Sequence, residues 1–250
     1  MHLDGAVLLV TGASGGIGKV LVPMLRARGA QLLLSARHAE AVTRQADDAG
    51  CIAIPADLAQ PGGAAKLAAE ARSVHGRVDG VIHAAGVGWR GPAQDTEPDV
   101  VDTVLAVDLA APIALTNALL PDLVTVPHSH VCFVSSIAGM VGVAQESLYA
   151  AAKAGVLRYA ESLRLELADR GVEVSAVSPA AVQTTFFAHR GAPYHRRHPR
   201  PLQPVRVATA IVAGIEAGGG YRVVPRWMGV VPRLRALVPG PYEWLARRMD

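Results

Sequence analysis

The sequence predicts an α/β protein built on one doubly wound parallel sheet with helices on both faces. Three observations lead there. Short, unbroken apolar runs alternate with helix-patterned stretches, the signature of βαβ units and right-handed crossovers. A glycine cluster stands between the first run and the first helix. The length of 250 residues suits one domain with a substantial core. Apolar residues at 51% against 18% charged exclude a disordered chain. No fixed repeat marks a solenoid.

The elements follow in order. Residues 6–10 are apolar without polar alternation, as expected of a parallel strand covered on both sides. Ile17, Val20, Leu21, Met24 and Leu25 recur at helical spacing up to Gly29, with Pro23 expected to kink or weaken that helix. Strands are expected at 31–35, 51–54, 78–82, 131–134, 172–177 and 221–224. Helices are expected at 39–49, 62–74, 98–120, 148–169 and 204–217. A Pro- and Arg-rich loop fills 185–204, and a tail rich in Val, Leu and Arg runs from Trp227. Residues 1–226 thus form the main domain and 227–250 an amphipathic C-terminal extension.

No uninterrupted apolar run reaches the roughly 18 residues of a membrane span. Met1-His2-Leu3-Asp4 lacks the basic start of a signal peptide, so a cytoplasmic protein is expected. Cys51 and Cys132 sit among apolar neighbours and read as buried thiols, with a disulfide as the lesser alternative. The net charge of +3 hides an asymmetry, because residues 1–186 carry −5 and 187–250 carry +8. Such a tail attracts anionic partners. No nucleic-acid motif accompanies it, and nucleic acid is not expected as a partner.

Thr11-Gly12-Ala13-Ser14-Gly15-Gly16-Ile17-Gly18 lies at the first strand–helix junction. Glycines there permit a tight turn and close backbone approach to a pyrophosphate, which free helix N–H groups then face. The spacing differs from the common G-x-G-x-x-G, and a flexible turn is the alternative reading, but the position argues for a Rossmann-type dinucleotide site. About 20 residues on, an acidic residue would mark NAD; here the second strand ends in Ser35-Ala36-Arg37. A guanidinium suits a 2′-phosphate, so NADP(H) is expected over NAD(H), unless Arg37 is only a solvated helix-start charge.

Tyr149 and Lys153 are four apart on a predicted helix and share one face. A phenol of ordinary pKa about 10 needs help to exchange protons near neutrality, and an adjacent ammonium supplies it. Ser136 precedes by thirteen residues, at the end of the preceding strand, so all three meet at the ligand-binding edge of the sheet. With 5 tyrosines in the chain, a Tyr four before a Lys arises by chance in about 0.06 cases. That outweighs the alternative of helix packing plus a solvated lysine.

On Thr11 to Gly18, Asp57, Ala85-Gly86, Ser135-Ser136, Tyr149 to Lys153, and Ser178-Pro179 with Thr184, the sequence resembles the short-chain dehydrogenase/reductase family. The resemblance covers about residues 6–184. It implies Tyr149 as general acid/base, Ser136 as the group orienting the substrate oxygen, and Lys153 as the residue lowering the Tyr pKa and holding the nicotinamide ribose. It implies Asp57 at the adenine and Thr184 at the carboxamide, and adds Leu58, Ala85, Gly86, Pro179 and Val182 to the cofactor-binding set. It also implies a homodimer or homotetramer, and a variable substrate loop over 185–204. Three positions depart from the pattern: His83-Ala84-Ala85-Gly86 replaces Asn-Asn-Ala-Gly, Pro179-Ala180 replaces Pro-Gly, and Asp108 replaces the Asn of the proton relay. A carboxylate beside Lys153 is expected to perturb both proton affinities and to be tolerated.

The expected activity is NADPH-dependent reduction of a carbonyl, reversible as alcohol oxidation, on a hydrophobic or acyl-thioester-like substrate. His189, Arg190, His195, Arg196, Arg197, His198 and Arg200 either attract an anionic part of that substrate or are simply solvated. His195-x-x-His198 alone makes no metal site. In the tail, Val230, Val231, Leu234, Leu237 and Val238 recur at helical spacing among Arg233 and Arg235. Such a segment caps the cleft, fills a subunit interface or lies on an anionic membrane. The alternatives for the whole protein are a membrane-associated lipid or steroid alcohol dehydrogenase, or a nucleotide-binding regulatory protein with vestigial catalysis.

Overall fold

Successive residues of a strand point to opposite faces of its sheet, so a sheet covered on both sides needs apolar residues at every position. The chain meets that requirement strand after strand. A computed structural model describes residues 1–194 and 200–246. The strands are β1 (Val7–Thr11), β2 (Gln31–Ser35), β3 (Ile52–Ala53), β4 (Gly80–His83), β5 (Ser129–Val134), β6 (Val172–Pro179) and β7 (Gly220–Val224). They form one parallel sheet in the order β3-β2-β1-β4-β5-β6-β7.

Leu8, Val10, Leu34 and Ile82 face one side. There α1 (Gly16–Arg26), α2 (Ala39–Ala49) and α8 (Pro204–Glu216) cover them with Leu21, Leu25, Val42 and Ile211. Leu9, Leu33, Val81 and Phe133 face the other. There α3 (Gly63–His75), α5 (Ala111–Leu123) and α6 (Ser147–Glu166) cover them with Leu67, Leu115, Leu119 and Val156. Each such fully buried side chain contributes roughly 1.5–3 kcal/mol relative to exposure. Because β1 lies between β2 and β4, the winding reverses at its carboxyl end and opens a crevice there.

The elements differ from expectation in two places, the strand at 51–54 and the helix at 98–120. α1 runs through Pro23 to Arg26, within the stretch expected up to Gly29; Pro23 is exposed and stands near the helix end. The strand expected at 51–54 shrinks to Ile52–Ala53 at the sheet edge. The helix expected at 98–120 is α4 (Pro98–Leu105), a π-helical turn (Ala106–Ala110) and α5. Pro112 explains the turn: it has no N–H for the Asp108 carbonyl four residues back, and its ring crowds that oxygen. The same stretch, Pro98–Leu123, is long and apolar enough to cross a membrane by length and mean hydropathy (1.7), although Leu115, Leu119 and Leu123 are packed in the core.

The loop after β6 holds a short helix, α7 (Phe186–His189), and a bridge from Val182 to Leu202. The tail forms α9 (Val230–Leu237) and α10 (Pro239–Ala246). Trp227, Leu234, Leu237 and Trp244 on it are exposed.

Candidate active site

β1 hands the chain to α1 through the glycine turn. Gly12 has φ +66°, and a Cβ there would stand 2.5 Å from the Ala85 backbone nitrogen. Only glycine therefore lets this turn lie against the loop after β4. Thr11 ties the two together, its Oγ1 accepting the Ala85 N–H at 3.2 Å. Gly15 caps α1 in extended conformation, with no side chain claiming the first helical N–H groups. Gly12, Ser14, Gly15, Gly16, Ile17 and Gly18 all line a cleft of about 910 Å³. A Cβ on Gly16 would run into the Thr184 side chain, so Thr184 closes over the cradle. Thr184 Oγ1 also accepts the Phe186 N–H at 3.3 Å.

The same cleft is lined by Arg37, Asp57, Leu58, Ala85, Gly86, Pro179 and Val182. Arg37 is exposed at its mouth, 3.4 Å from His38 Nε2; among the described residues no carboxylate pairs with it. Asp57 shapes its own loop by accepting the Ala59 N–H at 3.0 Å and the Gln60 amide at 3.4 Å. The buried Ser35 hydroxyl, also on the cleft wall, has no hydrogen-bond partner. An uncapped helix start, a guanidinium without a carboxylate partner and an orphaned hydroxyl line one cleft, and they fit a dinucleotide.

Ser136, Tyr149 and Lys153 line this cleft as well. Ser136 follows β5, and its Oγ accepts the Ala138 N–H at 3.1 Å. Ser135 lashes β5 to α6, donating to the Lys153 carbonyl at 2.9 Å. Tyr149 and Lys153 sit one turn apart on α6, both buried, with the ammonium 5.7 Å from the phenol ring centre. Lys153 Nζ donates to the Val134 carbonyl at 3.4 Å and lies 3.6 Å from Asp108 Oδ2. Asp108 is fully buried in the π-helical turn and accepts the Val87 N–H at 2.9 Å.

The net electrostatics at Tyr149 run opposite to the lowering expected of a phenol beside Lys153. Burial pushes the phenol well above its ordinary value and the Asp108 carboxylate adds to that, while a hydrogen bond with Ser136 opposes both. Burial likewise raises Asp108, against the pull of Lys153 and the Val87 N–H. The lysine charge faces the carboxylate first. His83, in place of the family Asn, is a core residue. Its Nε2 is 2.9 Å from Thr116 Oγ1, its ring stacks on Phe133, and burial pushes its pKa down to about 3, so it is neutral.

The cleft is also lined by Trp89, Val143, Phe186, Phe187 and Met228. The Phe186 ring lies 5.5 Å from that of Tyr149. Arg190 is 4% exposed, ion-paired with Glu146, and stacked over Phe187 at 4.5 Å. It is therefore not the free cation that the sequence suggested for the loop. His195, Arg196, Arg197 and His198 lie outside the described residues. Sequence reasoning missed Trp89, Glu146 and the Arg190 pairing; no motif marks them, and the only hint was Glu146 standing three residues before Tyr149.

Known proteins are similar to this chain in sequence and in fold. The profile described as short chain dehydrogenase matches residues 6–194. Bovine dehydrogenase/reductase SDR family member 7B (Bos taurus) is 32% identical over 232 residues, covering 86% of this chain and 71% of that protein. The rat protein of that name (Rattus norvegicus) is 36% identical over 197 residues, and this match takes in 74% of the chain but only 60% of the rat protein's length. A short-chain dehydrogenase from Sphingobium yanoikuyae in complex with NADPH superposes with TM-score 0.80 at 26% identity, covering 94% and 96% of the two chains. A 3-ketoacyl-(acyl-carrier-protein) reductase from Brucella melitensis complexed with NADH gives 0.78 at 25%, over 89% and 97%.

Proposed function

Because the chain belongs to the short-chain dehydrogenase family, and is with it an oxidoreductase on a nicotinamide-binding fold, we propose that it reduces the carbonyl of a bulky apolar substrate with NADPH. The observation that carries this reading is the meeting of Ser136, Tyr149 and Lys153 in the cleft that also holds the glycine cradle. When bound, the cofactor supplies the hydride. The N–H groups from Gly15 to Gly18 receive its pyrophosphate and Arg37 its 2′-phosphate. Asp57 and Thr184 bound the adenine and carboxamide ends. Ser136 holds the substrate oxygen, Tyr149 hands it a proton, and Lys153 keeps the ribose and phenol in place. Trp89, Phe186 and Phe187 exclude water from the reacting carbon and favour an apolar substituent.

The test is a cofactor-fluorescence screen of aldehydes, ketones and acyl thioesters with NADPH and NADH in parallel. Turnover with NADPH on apolar carbonyls is expected. Stoichiometric NADPH binding with no turnover across the panel would favour a regulatory nucleotide-binding protein instead.

A second reading has its own support. Trp227, Val230, Leu234, Leu237 and Trp244 are exposed beside Arg226, Arg233 and Arg235, a combination suited to an anionic membrane surface and to lipid-like alcohols. Arg235 donates to the Met140 carbonyl at 3.4 Å, which ties α9 to the segment after β5. Full-length protein carrying Leu234→Glu and Leu237→Glu should lose co-sedimentation with anionic liposomes; equal sedimentation would leave the tail to a second copy of the chain. A homodimer or homotetramer through the long helices α5 and α6 remains our expectation, with Leu165 on α6 70% exposed.

A further inference from the structure

Five charged or hydrogen-bonding groups act on Tyr149 or lie beside its ring. Lys153 comes from α6 and Glu146 from the residue before it, Arg190 from the residue after α7, Asp108 from the π-helical turn and Ser136 from the loop after β5. Glu146 and Arg190 are ion-paired with each other and largely cancel. The remaining charges are those of Asp108 and Lys153, 3.6 Å apart and both buried. The molecule is built around this pair. The π-helical turn, set by Pro112, presents Asp108 inward, and the Val87 N–H fixes one carboxylate oxygen. Gly86 leaves room for it, since a Cβ there would stand 3.3 Å from both Asp108 Oδ1 and Lys153 Nζ.

We propose that Asp108 is a positioning residue that sets the pH range in which each direction of the reaction runs: its carboxylate engages Lys153 and keeps Tyr149 a phenol, the form that reduction consumes. This rests on the carbonyl chemistry proposed above. In reduction, where bound NADPH would supply the hydride to the carbonyl carbon, the Tyr149 O–H bond breaks and its proton goes to the carbonyl oxygen. Alcohol and NADP⁺ leave, and the phenolate recovers a proton from water. Oxidation runs the steps backwards and must begin from the phenolate. An added negative charge disfavours that phenolate, in the direction found for Tyr149. The site thus holds the acid needed for reduction throughout the neutral range, and oxidation waits for alkaline pH.

The test is the pH profile of kcat/KM for both directions in the wild type and Asp108→Asn. The amide keeps size and the bond to Val87 but removes the charge. The oxidation profile should move to lower pH by about one unit, giving roughly tenfold faster oxidation at neutral pH. Unmoved profiles in an active Asp108→Asn protein overturn the proposal. A second measurement needs neither substrate nor a folded variant at position 108. The alkaline ultraviolet titration of wild type minus Tyr149→Phe should show no phenolate at Tyr149 below about pH 10, the ordinary tyrosine value. Ionisation of Tyr149 below that pH overturns the proposal even if the reaction itself is as proposed, and a silent substrate panel would leave this titration intact.

Discussion

Tyr149 and Arg37 both line one cleft but are proposed to do separable things, so single substitutions can tell their roles apart. Tyr149→Phe deletes one buried oxygen and leaves the glycine turn untouched. Turnover should fall by about 10²–10⁴-fold, the usual worth of a positioned proton donor. The NADPH dissociation constant, measured by fluorescence titration, should change less than about twofold. Substantial residual turnover would count against Tyr149 as the acid. Arg37→Ala should weaken NADPH by roughly 10–100-fold, as expected from losing a hydrogen bond between charged groups, with NADH nearly unaffected. Equal losses for both cofactors would show that the guanidinium reads something other than the 2′-phosphate. His83 makes the contrasting point. It replaces a family Asn next to the cleft, yet its contacts with Thr116 and Phe133 make it a satisfied core histidine.

At the scale of elements, the Glu146–Arg190 pair joins the start of α6 to the end of α7 and holds Phe186 beside the phenol. Glu146→Gln leaves Arg190 a buried charge without its counter-ion, which α7 can relieve by lifting away. Amide exchange over 186–190 should accelerate, and KM should rise more than kcat falls. Unchanged exchange there would show that Phe186 and Phe187 alone hold α7 down. These contacts also mark where the sequence stops being informative. The strands are legible because two-sided burial leaves unbroken apolar runs such as Val7 to Val10. Cradle and catalytic helix are legible because their chemistry needs fixed, short spacings. The Glu146–Arg190 pair spans 44 residues and no local pattern announces it. The π-helical turn does leave a local mark, Pro112 four residues after Asp108, but the apolar periodicity across 98–120 hides it. The sign of the Tyr149 shift was illegible for another reason: spacing places Lys153 beside the phenol but says nothing of how deeply both are buried, nor that Asp108 faces the ammonium.

Across the whole molecule, buried titratable groups tie folding stability to pH. Burial pushes His83 from 6.5 down to about 3 and lowers His130 as well. Glu173 is lowered from 4.5 to about 2, first by its hydrogen bond with His130 and then by the chain's amino terminus, 2.9 Å away. As pH falls below 6.5, the unfolded chain takes protons on both histidines that the native chain declines, so stability drops by up to about 1.4 kcal/mol per pH unit for each. Below 4.5 the unfolded chain also gains the Glu173 proton, and the loss steepens until the native value near 2 is passed. Asp108 works the other way. Its raised value means that the native state is protonated first, and stability returns as pH falls through that value toward 3.8. Three groups losing against one gaining predicts acid lability. The melting temperature, followed by scanning fluorimetry, should fall by roughly 5 °C or more between pH 6.5 and 5, a domain of this size losing about 2–4 °C per kcal/mol. His83→Gln, which keeps a hydrogen-bonding group near Thr116 but cannot titrate, should flatten that slope. A melting temperature that holds steady or rises over this interval would mean that the two histidines are not held neutral by the native core.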